Sequence, residues 1–276
     1  MKKTIKLVDE KRGIVQVTCV DQRHYGIPTL DAVSGIPLSY TYRPSVTFIT
    51  AYWPKGEWLV KWIADTGWDQ AKFRKEAAGE KGSIVHQGSA LLISGQTVRH
   101  DALLRNPETG EPQEISAEEY LCLVRFAAWH AATAPQIIAH DFVVVNEEHD
   151  YAGTVDFCML TRERVDEHTS RIILWVVDIK TSPAIYMPHR LQVSAYKHTP
   201  EIVEMALQHG AVEIRTAILG LNQQTKLGYK FTPTEDCFEL FLHTKAIWAQ
   251  ETSERLPFQK DLPLSLCLTN QKEPVQ

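Results

Sequence analysis

The sequence predicts an α/β protein that has a mixed central β-sheet flanked by helices and a helical or irregular amino-terminal extension. Two observations predict this class. Apolar residues recur at helical spacing in the first half of the chain, whereas segments rich in β-branched residues follow from residue 136 onward. No repeat or linker divides the 276 residues, so we expect a single domain.

We expect four parts within this one domain, 1–276. An amino-terminal extension covers 1–50, where short β-like pieces such as IVQVTCV and SVTFITAY alternate with Pro and Gly turns. A helical part follows at 51–135, a sheet with its own helices at 136–251, and a tail at 252–276. The candidate functional residues are concentrated in the third part.

The helical part contains three predicted helical segments. A helix is predicted at about 55–66, after Pro54, because its apolar residues are three and four apart: Trp58, Leu59, Trp62 and Ile63. Residues 69–94 are predicted to form either one helix or two. Ser116 is predicted to begin another helix, because Glu119 stands three residues later and completes a capping box.

Three consecutive segments are predicted to be antiparallel strands: QIIAHDFVVV, YAGTVDFCML and RIILWVVDIK. The last of them is apolar enough to be buried on both faces. A helix is expected at about 187–209, a strand pair in VEIRTAILGL and KLGYKFT, and a final helix from near Thr234 to about Glu251. This order of helices and strands is typical of a mixed sheet.

The composition favours a cytoplasmic protein. No apolar run reaches the roughly eighteen residues of a membrane span, and MKKTIKLVDEKRG lacks the apolar region of a signal peptide. A net charge of −5 does not favour a protein that coats nucleic acid, but it leaves room for a local basic groove. The five cysteines stand singly, which argues against a disulfide framework or a zinc ribbon: Cys19, Cys122, Cys158, Cys237 and Cys267.

Asp178 and Lys180 lie two residues apart in DIKTS, so on a strand both side chains leave the same face. They continue an apolar row formed by Ile172, Leu174 and Val176. Burying such charges unpaired costs several kcal/mol, so they require each other, a metal ion or solvent. A structural salt bridge is the alternative, and it is the commoner case for an isolated D-x-K.

The preceding strand supplies a second carboxylate. GTVD places Asp156 where it meets Asp178 across a hairpin, and Gly153 permits a close approach of backbone or ligand. Two opposed carboxylates repel each other unless a divalent cation lies between them. Magnesium prefers such hard oxygen ligands, and the backbone carbonyl of Ile179 is a further candidate ligand.

Gln192 and Tyr196 lie four residues apart in HRLQVSAYKH and therefore on one face of the next helix. This spacing alone is almost uninformative, because a core tyrosine beside a solvated glutamine produces it equally well. A histidine in a helix, such as His86 in GSIVHQGSALLISG, is likewise more often structural than a ligand.

Together, GTVDF, DIKTS and QVSAY resemble the G-x-x-D, D-x-K and Q-x-x-x-Y motifs of RecB-like nucleases in the PD-(D/E)XK superfamily. Gly82 and His86 resemble the G-x-x-x-H segment that this family carries upstream. The resemblance covers about residues 44–250 and extends to mitochondrial genome maintenance exonucleases and related phage proteins. It implies a restriction-endonuclease-like core.

The resemblance implies a magnesium-dependent deoxyribonuclease, in which manganese would substitute. Its catalytic residues would be Asp156, Asp178 and Lys180, and its metal ligands His86, Asp156, Asp178 and the carbonyl of Ile179. The metal would stabilise charge on the scissile phosphate while Lys180 orients or helps deprotonate the attacking water. The grouped cysteines of cluster-containing relatives are missing from the sequence, so we expect no iron–sulfur cluster.

The expected partner is DNA, with a recombination or replication protein as a further candidate. Single-stranded or end-containing DNA is the preferred substrate, in recombination, repair or processing, by resemblance to the exonuclease subgroup. A structure-specific or restriction-type endonuclease uses the same centre and remains open, as does a catalytically silent DNA-binding module.

Further residues are candidates for contact with DNA or for support of the site: Arg190, Gln192, Tyr196 and Lys197, with His189 beside them. Trp53, Trp58 and Trp62 are candidates to stack on unpaired bases, with core packing as the alternative. Asp141 is a weaker candidate for an additional acidic ligand and ranks above Glu147 and Glu148, because NEEHD is typical of a hairpin turn.

Overall fold

The computed structural model describes residues 3–19, 22–31, 37–106 and 110–253. Within these ranges the protein is a mixed α/β structure with three β-sheets and seven helices. The tail predicted at 252–276 lies outside the described residues beyond 253. No helix in the described ranges combines the length and the apolar character needed to cross a membrane.

The amino-terminal extension forms a four-stranded antiparallel sheet in the order β1-β2-β3-β4. Its strands are β1 (Lys3–Asp9), β2 (Ile14–Cys19), β3 (Gln22–Leu30) and β4 (Pro37–Pro44). The expectation of a helical or irregular extension was therefore wrong for this segment. Pro28 lies within β3, although proline is normally excluded from the interior of a strand. Gly13 makes a turn with a φ of 65°. These residues made a continuous meander hard to detect.

The segment after β4 begins the helices. Helix α1 (Val46–Thr50) replaces the β-like piece predicted at SVTFITAY. The Ser45 hydroxyl accepts a hydrogen bond from the Phe48 amide, and this cap favours a helix over continued pairing. The prediction at 55–66 is confirmed by α2 (Glu57–Thr66), and residues 69–94 form one helix, α3 (Trp68–Ile93).

A short hairpin that the sequence did not predict, β5 (Leu103–Arg105) with β6 (Pro112–Glu114), joins α3 to α4 (Ala117–Thr133). The capping box predicted at the start of α4 is present, with Ser116 and Glu119 each accepting a backbone N–H of the other.

The central sheet has five strands in the order β11-β10-β9-β8-β7. The predicted antiparallel meander is confirmed by β7 (Gln136–Asn146), β8 (Tyr151–Arg164) and β9 (Ser170–Lys180). Strand β10 (Ala211–Gly220) runs parallel to β9, and β11 (Lys230–Thr234) is antiparallel to β10. The sheet is therefore mixed, as predicted.

The connection from β9 to β10 contains two helices instead of the single one predicted at 187–209. They are α5 (Met187–Lys197) and α6 (Pro200–Gln208). Pro200 occupies the first turn of α6 and disfavours helical backbone at Thr199 before it, so the chain bends there. The last helix, α7 (Phe238–Thr252), begins four residues later than expected near Thr234.

Helices cover both faces of the central sheet. The apolar residues buried between the sheet and the helices α3 and α4 form what we call the first core cluster. Its sheet residues include Phe157, Met159, Ile173, Trp175, Val177 and Ile179. The side packed by α1, α5, α6 and α7 is the second core cluster; its buried sheet residues include Val155, Cys158, Leu160, Leu174 and Val176. Burial on both faces explains the unbroken apolar character of β9.

Tyr151 ties the second core cluster to α5. Its hydroxyl donates to the Ala195 carbonyl at 2.8 Å and accepts from the Asn146 side chain at 3.2 Å. The side chain is fully buried, so water cannot replace these bonds.

We expect Tyr151→Phe to lower the free energy of unfolding by about 1–2 kcal/mol, because it removes a buried hydrogen bond at constant shape. Urea denaturation measures the change. Tyr52→Phe is the matched control, since among the described residues the Tyr52 hydroxyl has no hydrogen-bond partner. Equal unfolding midpoints for the two variants would contradict this account of Tyr151.

Candidate active site

The candidate site lies where β8 and β9 separate. Their ladder ends at the pair Phe157 and Val177, after which β8 remains paired only with β7 and β9 only with β10. Asp156 and Asp178 are the next two positions in this register. The two aspartates predicted to meet across the hairpin therefore lie on β8 and β9 just beyond the point where the strands separate. We call this point the fork.

The alternation of side chains between the two faces of the sheet is interrupted in β8 at this fork. Val155 and Cys158 both contact the second core cluster, although strict alternation would place them on opposite faces. Asp156 lies between them, and its Oδ2 accepts a hydrogen bond of 2.6 Å from the Ile179 amide. The sequence pattern did not predict this change of facing. A side-chain oxygen thus replaces a backbone carbonyl where the ladder stops.

Asp178 is the most deeply buried charge of the site, with a side chain 1% exposed. The Lys180 ammonium lies 2.5 Å from its Oδ2, whereas its Oδ1 has no hydrogen-bond donor among the described residues. Burial raises the pKa of Asp178 to about 6, while Lys180 opposes the rise and the charge of Asp156 adds to it. Oδ1 therefore lacks the donor that a buried carboxylate oxygen normally has.

His86 reaches the fork from α3. Its Nδ1 lies 2.8 Å from Oδ1 of Asp156. Burial opposes protonation of His86, but the neighbouring carboxylate outweighs it and raises the pKa of the imidazole. Burial likewise favours neutral Asp156, yet His86, Lys180 and the Ile179 amide together lower the pKa of that carboxyl. The two side chains form a partly buried, hydrogen-bonded pair at the fork.

Gln192 and Tyr196 extend the site into the second core cluster. The side-chain carbonyl of Gln192 accepts from the Lys180 ammonium at 3.2 Å, and its amide donates to the Tyr196 hydroxyl at 2.8 Å. Both side chains are buried, so the predicted alternative of a solvated glutamine is wrong, whereas that of a core tyrosine is right. Tyr196 supports Gln192, and Gln192 in turn holds Lys180.

The other predicted residues lie outside this group. Lys197 pairs with Asp236 at 2.8 Å. Arg190 is half-buried on the side of α5 that faces Cys237, on whose thiol its charge acts. Asp141 is exposed, has a left-handed φ of 47°, and makes no hydrogen bond or ion pair with the described residues of the site.

The three tryptophans occupy different surroundings. Trp53 packs against the second core cluster, and Trp62 is half-buried. Trp58 is 68% exposed on α2, a helix that buries none of its residues. Core packing therefore explains Trp53 and leaves Trp58 as an aromatic surface.

No protein-family model matches the chain, and no curated protein matches it. The site must be interpreted from its own residues.

A divalent cation can be tested against these residues. Among the described residues, no three His, Cys, Asp or Glu side chains are arranged as a ready metal site. His86 and Asp156 bond to each other, and Asp178 is turned to Lys180, so their ligand atoms are engaged internally. Oδ1 of Asp178 is nevertheless buried without a hydrogen-bond donor among the described residues, and magnesium prefers such hard oxygen ligands. The donor set therefore fits a magnesium ion if the internal contacts are exchanged.

Gly153 is needed because of Tyr196. A Cβ atom at position 153 would overlap the Tyr196 ring. At Gly82, on α3, an added Cβ would meet only the Thr181 hydroxyl, at an ordinary 3.8 Å. The two glycines of the predicted motifs therefore differ in their steric role.

We expect Gly153→Ala to lower the free energy of unfolding by about 1–3 kcal/mol and to displace Tyr196 from Gln192, because the methyl group overpacks a buried ring. Gly82→Ala is the control and should leave stability unchanged or raise it by about 0.5–1 kcal/mol, since it lies inside a helix. Denaturation curves test both, and a Gly153→Ala protein as stable as wild type would refute the contact.

Proposed function

We propose that this protein is a metal-dependent DNA nuclease of the PD-(D/E)XK superfamily, in its RecB-like branch, with a restriction-endonuclease-like core. The observation that carries the proposal is the fork of β8 and β9, where Asp156, Asp178 and Lys180 converge and Oδ1 of Asp178 is buried without a hydrogen-bond donor among the described residues. A purely structural salt bridge would be expected to satisfy both oxygens of so deeply buried a carboxylate.

The metal would be held by Asp156, Asp178, His86 and the carbonyl of Ile179. Magnesium, or manganese in its place, supplies Lewis-acid stabilisation of a scissile phosphate and acidifies a bound water. The Ile179 amide holds Asp156 in orientation. His86 contacts the second oxygen of Asp156.

Lys180 is the residue that would position the attacking water. Its ammonium has three N–H donors, of which Asp178 and Gln192 engage two. The side chain is 17% exposed, and no further acceptor among the described residues takes the third donor. The contacts to Asp178 and Gln192 hold the ammonium in place, which favours a defined direction for that third donor.

Single-stranded or end-containing DNA is the proposed substrate, with exonucleolytic cleavage. Trp58 supports this choice because it presents an aromatic surface to solvent at the start of the segment that leads through α3 to His86. Aromatic side chains bind unpaired bases by stacking, irrespective of sequence. Paired bases in a duplex offer no such face.

We expect Asp178→Asn and Lys180→Ala each to reduce cleavage at least about 100-fold, because each removes a charge from the reacting centre. The measurement is a time course with magnesium or manganese on end-labelled single-stranded, blunt duplex and closed circular DNA. Asp65→Asn, an exposed carboxylate on α2, is the matched control and should cleave like wild type. EDTA should abolish cleavage in every case.

The outcomes of this experiment separate the alternatives. Loss of linear but not circular DNA supports an exonuclease, whereas nicking of the circle would establish an endonuclease with the same centre. Tight binding without cleavage would make the protein a silent DNA-binding module. Full activity of either charge variant, or in EDTA, would refute the assigned centre.

Trp58→Ala should weaken binding of a single-stranded oligothymidine about 5- to 150-fold, since stacking contributes roughly 1–3 kcal/mol per base. Fluorescence anisotropy in EDTA measures affinity without cleavage. Leu38→Ala, an equally exposed apolar residue at 68%, is the control and should bind as wild type does. If both variants retain full affinity, Trp58 does not contact the strand.

A further inference from the structure

His189 lies beside the candidate centre without belonging to the predicted motifs. It stands three residues before Gln192 and seven before Tyr196 on α5, so the three side chains share one face of the helix. Gln192 on this face contacts the Lys180 ammonium at 3.2 Å. The imidazole therefore lies one helical turn nearer the start of α5 than Gln192, on the helix face that contacts Lys180.

The orientation of the His189 ring is set by the residue that precedes α5. The Tyr186 amide donates to its Nδ1 at 3.3 Å, and the two aromatic rings meet edge to face with centroids 5.5 Å apart. Because Nδ1 accepts, the neutral ring carries its hydrogen on Nε2. No residue in the described ranges accepts a hydrogen bond from this Nε2–H.

The environment keeps this donor uncharged. Burial lowers the pKa of His189 to about 3, and the positive charge of Lys180 contributes to the decrease. The ring is therefore neutral across the physiological range. The neutral N–H donor of His189 thus lies close enough to the Lys180 ammonium to feel its charge, and an N–H donor near an ammonium suits the oxygens of an anionic phosphate.

We propose that His189 contacts the DNA, with Nε2–H donating a hydrogen bond to a non-esterified phosphate oxygen of the strand bound beside Lys180. The proposal rests on the proposed nuclease function. The contact involves only the DNA backbone, so it would increase the affinity for DNA and fix the position of the strand without any preference for sequence.

Two substitutions separate the donor from the structural role of the ring. In His189→Asn the side-chain oxygen still accepts from the Tyr186 amide, but no N–H remains at the place of Nε2. In His189→Gln an N–H returns near that place. We expect His189→Asn to lower kcat/KM on a single-stranded oligonucleotide about 10-fold or more, with an unchanged melting temperature. His189→Gln should recover to within about 3-fold of wild type.

A second measurement identifies the phosphate. Oligonucleotides that each contain one uncharged methylphosphonate linkage are scanned for affinity in EDTA, with wild type and with His189→Asn. At the linkage that His189 contacts, wild type loses affinity, and His189→Asn loses little more, so the two changes are not additive. Additive losses at every linkage would overturn the contact.

The failure of this proposal is distinct from failure of the nuclease assignment. If wild type cleaves DNA and His189→Asn cleaves equally well, the His189 contact is refuted and the nuclease stands. If His189→Gln is as impaired as His189→Asn and both melt earlier, the ring serves only to cap α5 and the proposal is overturned. If wild type neither binds nor cleaves DNA, the nuclease assignment itself falls and this contact with it.

Discussion

The carboxylate of Asp178 is buried at the point where two strands part, and the surrounding structure compensates its charge. Strand β9 holds it between two core clusters, where no water can solvate it. Lys180, two residues later, places its ammonium beside this carboxylate, and Gln192 on α5 accepts a hydrogen bond from the same ammonium. Asp156 is drawn to the same place by the Ile179 amide. A charge in such a position is costly, and the proposed catalytic role would account for it.

The layered architecture brings these groups together from both sides of one sheet. Helix α3 delivers His86 from the side of the first core cluster, whereas α5 delivers Gln192 from the side of the second. The fork is open because β8 turns towards β7 and β9 towards β10. The amino-terminal sheet packs against β7 and β8 at Val143, Val145 and Ala152.

The sequence predicted the parts of the fold that depend on local periodicity. The meander of β7 to β9 and the shared face of Asp178 and Lys180 follow from alternation, and the start of α4 follows from Ser116 and its capping box. What it could not predict depends on neighbours distant in the chain. The change of facing at Asp156 arises where a partner strand leaves, and the tautomer of His189 depends on a hydrogen bond visible only in three dimensions. The break before Pro200 was predictable from proline chemistry and was missed.

The residues that meet at the fork come from widely separated stretches of the chain, from His86 on α3 to Gln192 on α5. During synthesis the helix with His86 leaves the ribosome about a hundred residues before the helix that steadies Lys180, and the parallel pairing of β9 with β10 requires still later residues. A chain that ends before α5 therefore lacks both the Gln192 contact to Lys180 and the β10 partner of β9. The order of translation itself would delay the appearance of any activity until most of the domain has been made.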